Sequence, residues 1–269
     1  MPPRICGAAF NKQRCDVSQL QKKMQKLQRR EGPSMGFGAA VREQPRAMLL
    51  IALTANKTEA KAALEAGADA VVIRAQAAKA VAALDSLAGK HNSVGVLTQG
   101  LDEEGAAALA KAGCDFVISS LEATESVAVD TDRMGHILIA SEGMADNTLR
   151  AIAPLGLDAL YVEREAGGTM LANQLGLVRL ATFTSTPLVV TVAAKASVAE
   201  LRVLRDSGVG GVIAPESASA AELKALIKAL IEVPAPKKSR RDGAEMAIVP
   251  SAAAGHADHD DEGDEEDDE

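Results

Sequence analysis

At 269 residues, 47% hydrophobic but only 2% aromatic and without Trp, the chain is long enough for a full core, which must be built from Ala, Val, Leu and Ile. Three cysteines, Cys6, Cys15 and Cys114, odd in number and without CxxC spacing, argue against a disulfide framework or a zinc site. The net charge of −8 is divided sharply: residues 1–47 hold ten Lys/Arg against three acids, and residues 258–269 hold ten acids and no base.

The opening stretch MPPRICGAAFNKQR carries charge where a signal peptide needs an apolar run. No stretch approaches the ~18 uninterrupted apolar residues of a membrane helix. A soluble, cytoplasmic protein without membrane contact is expected. Residues 16–30 (DVSQLQKKMQKLQRR) place apolar side chains at 17, 20, 24 and 27, which is helical spacing, with Asp16 or Ser18 as the cap. The spacing predicts a helix closing one end of the body. A nucleic-acid-binding arm is not expected, because no aromatics interleave the basic run and the rest of the protein is acidic.

From residue 48 the chain reads as eight strand and helix pairs. Strands are expected at 48–54, 70–74, 93–98, 115–119, 136–141, 159–163, 188–192 and 211–214. Helices are expected at 58–66, 77–87, 102–112, 146–155, within 170–181, at 197–206 and at 219–232. The stretch 121–135 (LEATESVAVDTDRMG) is too poor in helical periodicity for more than one short turn. One phrase recurs: a helix ending in Gly, a small or acidic residue or two, then a short apolar strand. It appears at 62–74 (AALEAGADAVVIR), 108–119 (ALAKAGCDFVIS), 151–163 (AIAPLGLDALYVE) and 201–214 (LRVLRDSGVGGVIA). Gly at that point suits the left-handed residue that ends a helix.

Continuous apolar strands separated by helices demand a parallel sheet covered on both faces. Eight such pairs predict a single (β/α)₈ TIM barrel over 48–233, with a basic arm at 1–47 carrying one helix and a disordered linker and acidic tail at 234–269. The runner-up, an open doubly wound sheet, wants a Gly-rich phosphate loop after an early strand, and the first strand is followed by ThrAlaAsnLysThr instead.

In a barrel the site lies at the C-terminal ends of the strands. No His or Cys reaches that end, which argues against a His base, a Cys nucleophile or a His-ligated metal. Carboxylates remain: Glu142, Glu163 and Glu216 could share a site as acid and base, with Glu142 and Glu163 the candidate pair, or as oxygen ligands for Mg²⁺, the alternative being ordinary loop ion pairs. Arg74 ends an otherwise apolar strand; read as a buried guanidinium, it is the candidate holder of a phosphate or carboxylate. Ser119, Ser141, Lys195 and Ser217 are expected around it.

At GlyLeuAspAlaLeuTyrValGluArgGluAlaGlyGly, followed by ThrProLeuValValThrVal and SerGlyValGlyGlyValIle, residues 156–216 resemble the second half of the FMN-dependent nitronate monooxygenases, and more loosely other phosphate-binding barrels. The resemblance implies a barrel and an FMN site that includes Gly167 and Gly168. Thr169 stands where that family has its catalytic His, and the turns after the seventh and eighth strands lack the family's phosphate glycines. Two readings follow. One is a barrel whose mouth takes a small anionic metabolite or flavin. The other is a catalytically inactive scaffold or regulatory protein that meets a protein partner, or itself, through its charged arm and tail.

Overall fold

The computed structural model describes residues 18–28, 46–84, 87, 93–164 and 170–234. Most of the arm, Gly167 and Gly168, and the tail from 235 onward fall outside these. Helix α1 (Gln19–Gln28) precedes the repeating part of the chain. There follow β1 (Leu49–Thr54), α2 (Lys57–Ala66), β2 (Ala70–Arg74), α3 (Ala77–Leu84), β3 (Ser93–Leu97), α4 (Glu103–Lys111) and β4 (Phe116–Ser120). A single 3₁₀ turn (Ser126–Ala128) stands where the fourth helix would be, as the weak periodicity of 121–135 predicts. The second half comprises β5 (Gly135–Ala140), α5 (Asp146–Ile152), β6 (Ala159–Val162), α6 (Leu171–Thr184), β7 (Leu188–Thr191), α7 (Val198–Asp206), β8 (Val209–Ala214) and α8 (Ala220–Glu232).

All eight strands are parallel and run in chain order around a ring that β1 and β8 close, with Leu50 opposite Val212. The fold is therefore the TIM barrel that the alternation of strands and helices predicts. Strands need two buried faces here, which is why they read as continuous apolar runs. Leu50, Val71, Val96, Val117, Leu160 and Val190 point outward under the helices. Ile51, Val72, Phe116, Ile118, Ile137, Tyr161, Val189 and Ile213 fill the barrel itself. With so few aromatics, one ring does disproportionate filling: Phe116 lies across Gly95 of β3, where a Cβ would come within 2.4 Å of the ring.

The four glycines of the repeated joint, Gly67, Gly113, Gly156 and Gly208, all have positive φ, from +69° to +100°. Each ends a helix or its last turn and lets the chain drop into β2, β4, β6 or β8. In the first three joints an Asp follows two residues later, and these acids meet at the N-terminal end of the barrel. Asp115 accepts the main-chain N–H groups of Gln19 (2.7 Å) and Leu20 (3.0 Å) and the hydroxyl of Ser93 (2.5 Å). It thus takes up orphan donors at the start of α1 and complements the positive end of that helix. Asp69 accepts from the Leu50 N–H and from Arg46, both at 2.9 Å, while Lys23 of α1 reaches the Asp69 carbonyl. Asp158 lies beside Ser18, whose hydroxyl accepts from the Gln21 N–H.

The fourth joint has Gly210 in place of Asp, and the methyl of Met24 packs there, 3.3 Å from where a Cβ would sit. Leu20 and Met24 complete the lower layer of the interior. Helix α1 is the plug of the barrel, as its amphipathic spacing predicts.

Helix α6 breaks the amphipathic rule. Leu177 and Leu180 are buried, yet Leu171, Leu175 and Val178 are exposed on the opposite side, and its Arg179 is tied down by Asp146 and the carbonyls of Glu142 and Met144.

Candidate functional site

At the C-terminal end of the strands the same inward register continues into polar residues. Arg74 stands two positions beyond Val72 on β2, and Glu163 two beyond Tyr161 at the end of β6. Strands β2 and β6 are four apart in a ring of eight, so the two charges face one another across the mouth. Arg74 Nη2 and Glu163 Oε1 are 3.6 Å apart, and the side chains are 50% and 62% exposed. That separation is an ion pair rather than a hydrogen bond. The buried guanidinium expected for Arg74 is not found: as the last residue of β2 it stands at the open mouth with half of its side chain in solvent.

Beneath the pair lies Tyr161, the chain's single tyrosine, buried inside the barrel with its hydroxyl 2.9 Å from Thr191 Oγ1. Burial raises its pKa above the usual phenol value; the Thr191 hydrogen bond opposes this, Glu163 adds to it and Arg74 opposes it. Tyr161 was not singled out from sequence. The available signal was its inward parity with Glu163.

Beside the pair opens a cavity of about 950 Å³ whose walls include Arg74, Gln76, Thr98, Gln99, Asp102, Glu104, Glu125, Ile139 and Glu163. One wall comes from the stretch that fails to make a helix. Its residues 123–125 lie against the β3–α4 loop, the Leu101 N–H donating to Ala123 and the Glu125 N–H to Leu101. Gly100 permits this, since a Cβ there would sit 2.7 Å from the Ala123 oxygen. Two of the acids are partly engaged, Asp102 as the cap of α4 and Glu125 as acceptor from the Glu103 N–H.

The other expected residues are placed elsewhere. Ser119 follows outward-facing Val117 and is buried on the helix side of the sheet, so Ser120 is the serine with the inward parity. Ser141 is exposed just past β5 and does not line the cavity. Glu142 packs over Gly176 of α6, where a Cβ would come 3.0 Å from its carboxyl carbon. The expected pairing of Glu142 with Glu163 is thus not formed: one carboxylate lies over a helix and the other faces Arg74. Ser217 and Lys195 are exposed beside α8.

The start of α8 is already supplied with an anion. Ser219 Oγ accepts the Glu222 N–H at 3.3 Å, and the Glu222 carboxylate accepts the Ser219 N–H at 2.9 Å and its hydroxyl at 2.8 Å, a closed capping box. The Ser219 main-chain bond, then its hydroxyl, holds the Glu222 carboxyl below its usual range, and Lys195 adds to this. These residues do not fit the phosphate of a flavin at that helix, because the Glu222 carboxylate holds the Ser219 N–H and hydroxyl and sets a negative charge where the phosphate would lie. Among the described residues no group of three or more His, Cys, Asp or Glu could hold a metal ion, and no helix is long and apolar enough to cross a membrane.

No family model matches this chain, and no curated protein matches it by sequence. Solved structures do. Tryptophan synthase from M. tuberculosis is similar at 16% identity over 80% of this chain and 98% of that one, with a TM-score of 0.58. A mutant tryptophan synthase α-subunit from the hyperthermophile Pyrococcus furiosus gives 13% identity, 70% and 98% coverage and a TM-score of 0.53. Dihydropteroate synthase from Yersinia pestis gives 17%, 69% and 91%, and 0.50. Identities this low show the fold alone, and the fold they show is the TIM barrel. The resemblance to nitronate monooxygenases is not among these likenesses.

Proposed function

We propose that the barrel mouth binds a small metabolite through an acidic group, carboxylate or phosphate, taken by Arg74. The observation that carries this reading is the position of Arg74: it is the sole cation among the described residues lining the cavity, and its only partner there is a long, half-exposed ion pair. Such a pair contributes about 0–1 kcal/mol, so losing it opposes only slightly a ligand that offers two hydrogen bonds to the guanidinium. On this reading Glu163, 3.6 Å from the guanidinium, serves as acid or base toward whatever Arg74 holds. That the chain is similar in fold to synthases acting on small molecules agrees with this use of the mouth, without naming the substrate.

The second reading, a scaffold without catalysis, draws support from Glu222. A barrel that fills a phosphate-binding helix terminus with its own carboxylate has given up one common way of holding a substrate. On that reading the basic arm and acidic tail make the contacts.

Thermal unfolding separates the two. Phosphate, succinate and FMN, each at millimolar concentration, are tested on the full chain. A ligand at 100 times its dissociation constant stabilises by about 2.7 kcal/mol, a shift of several degrees. Arg74→Ala abolishes the shift, whereas Lys57→Ala, at the exposed start of α2, keeps it. No shift with these anions, nor with any other small molecule that carries a carboxylate or phosphate, defeats the binding reading.

A further inference from the structure

We infer that the ligand of this mouth is a zwitterion, a molecule carrying an ammonium group close to its carboxylate, as an α-amino acid does. The inference rests on the binding reading above and specifies its ligand class. It follows from the charges that face the cavity. Arg74 is matched there against Glu163, and Asp102, Glu104 and Glu125 stand along the same walls. A simple anion that takes Arg74 away from Glu163 leaves that carboxylate unpaired a few ångströms from the new negative charge, inside a mouth already rich in acids. A simple cation that takes Glu163 strands Arg74 in the same way.

A zwitterion does neither. Its carboxylate accepts from the guanidinium, its ammonium donates to Glu163, and one ion pair becomes two without any charge left alone. The geometry allows the insertion. The two side chains reach across the mouth from opposite strands, meet at 3.6 Å without a hydrogen bond, and are half open to solvent, so each can retract to admit a group between them. Under them the paired hydroxyls of Tyr161 and Thr191 form a neutral floor. The side-chain amides of Gln76 and Gln99 stand on the cavity wall for the remainder of the molecule.

The test is calorimetry and thermal unfolding of the full chain with each of the twenty standard L-amino acids. The strongest binder is then compared with its decarboxylated amine, its deaminated 2-hydroxy acid and inorganic phosphate. At least one amino acid is expected to raise the melting temperature by several degrees, and the amine and hydroxy acid to bind at least 30-fold more weakly. The decisive variant is Glu163→Gln, which keeps the shape and removes the charge. For a zwitterion it weakens binding tenfold or more, as does Arg74→Ala; for a plain anion it strengthens binding, because Arg74 is released from its competitor. Both side chains are half exposed, and circular dichroism melts of the free variants within about 2 °C of the parent confirm that they fold. If phosphate or the hydroxy acid binds as tightly as the amino acid and Glu163→Gln improves it, the zwitterion inference falls while an acid-binding mouth stands. An amino acid whose binding ignores both substitutions also overturns the inference, since it binds elsewhere. If nothing binds, both readings fall.

Discussion

At the N-terminal end of the barrel Asp115 binds two main-chain N–H groups and a hydroxyl under the cover of α1, whereas at the C-terminal end Arg74 and Glu163 meet at 3.6 Å with half of each side chain in water. Both ends are built on strand termini: Asp69, Asp115 and Asp158 directly precede β2, β4 and β6, and Arg74 and Glu163 stand at the far ends of β2 and β6. The lower end uses its charges to hold a helix and leaves little room for change. The upper end uses them loosely, with a cavity beside them. Asp115 is satisfied by the chain itself, and the Arg74–Glu163 pair is left replaceable.

The largest effect is expected where that difference is greatest. Asp115→Ala removes the acceptor of two amides and a hydroxyl and should lower stability by about 3 kcal/mol or more, since buried donors without partners cost ~1–3 kcal/mol each. Urea unfolding measures it, and a loss under 1 kcal/mol would show that α1 is not seated as described. Gly135→Ala comes next. A Cβ there would sit 2.3 Å from Asp158 Oδ2 and 2.9 Å from Ser18 Oγ, so the start of α1 must shift, at a cost of about 1–3 kcal/mol. The same change at Gly143, on the upper side where the nearest atom is 4.0 Å away, should cost less than about 1 kcal/mol.

The pH dependence sharpens the contrast further. Burial pushes Asp158 up to about 6, the Ser18 hydroxyl opposing and Asp115 adding, and Asp158 Oδ2 has no hydrogen-bond partner. Its contribution to stability is present below the unfolded carboxyl value and lost as pH rises through about 6. Burial pushes His136 down to about 4, with Asp130 opposing, and its Nε2 is likewise unpartnered. The histidine's contribution is present above the unfolded imidazole value and lost as pH falls through about 4. Between pH 4 and 6 the two slopes, each about 1.4 kcal/mol per pH unit at most, run in opposite senses and largely cancel. Asp158→Asn should therefore make the protein lose stability on acidification across that window. His136→Asn should make it gain. Parallel behaviour of both variants would show that one of these groups is not buried in the folded state. The smallest effect belongs to the upper end: without ligand, Arg74→Ala should change stability by less than about 1 kcal/mol, because its pair is exposed.

The ring of strands was legible because its joints repeat, and each joint glycine answers a backbone need that no other residue meets as cheaply. The seat of α1 was half legible. The Asp in three of the four joints was visible as a pattern, but that these acids converge on one helix required the ring to be closed. The upper end was the least legible, since a strand's alternation decides which residue looks into the mouth, and a shift of one residue reverses the answer. Arg74 and Glu163 share the inward parity with Val72 and Tyr161, while Ser119 takes the outward one. The wall from 123–125 escaped notice because failed helix periodicity carries no sign of what replaces the helix.

The seating of α1 also fixes an order of events in synthesis. Its first amide donors meet an acceptor 96 residues further along the chain, so at roughly 5–20 residues per second Gln19 is joined to the chain about 5–20 s before Asp115. A ten-residue helix alone in water is only marginally formed. The helix is therefore made before the strands that seat it and becomes ordered only once they have formed.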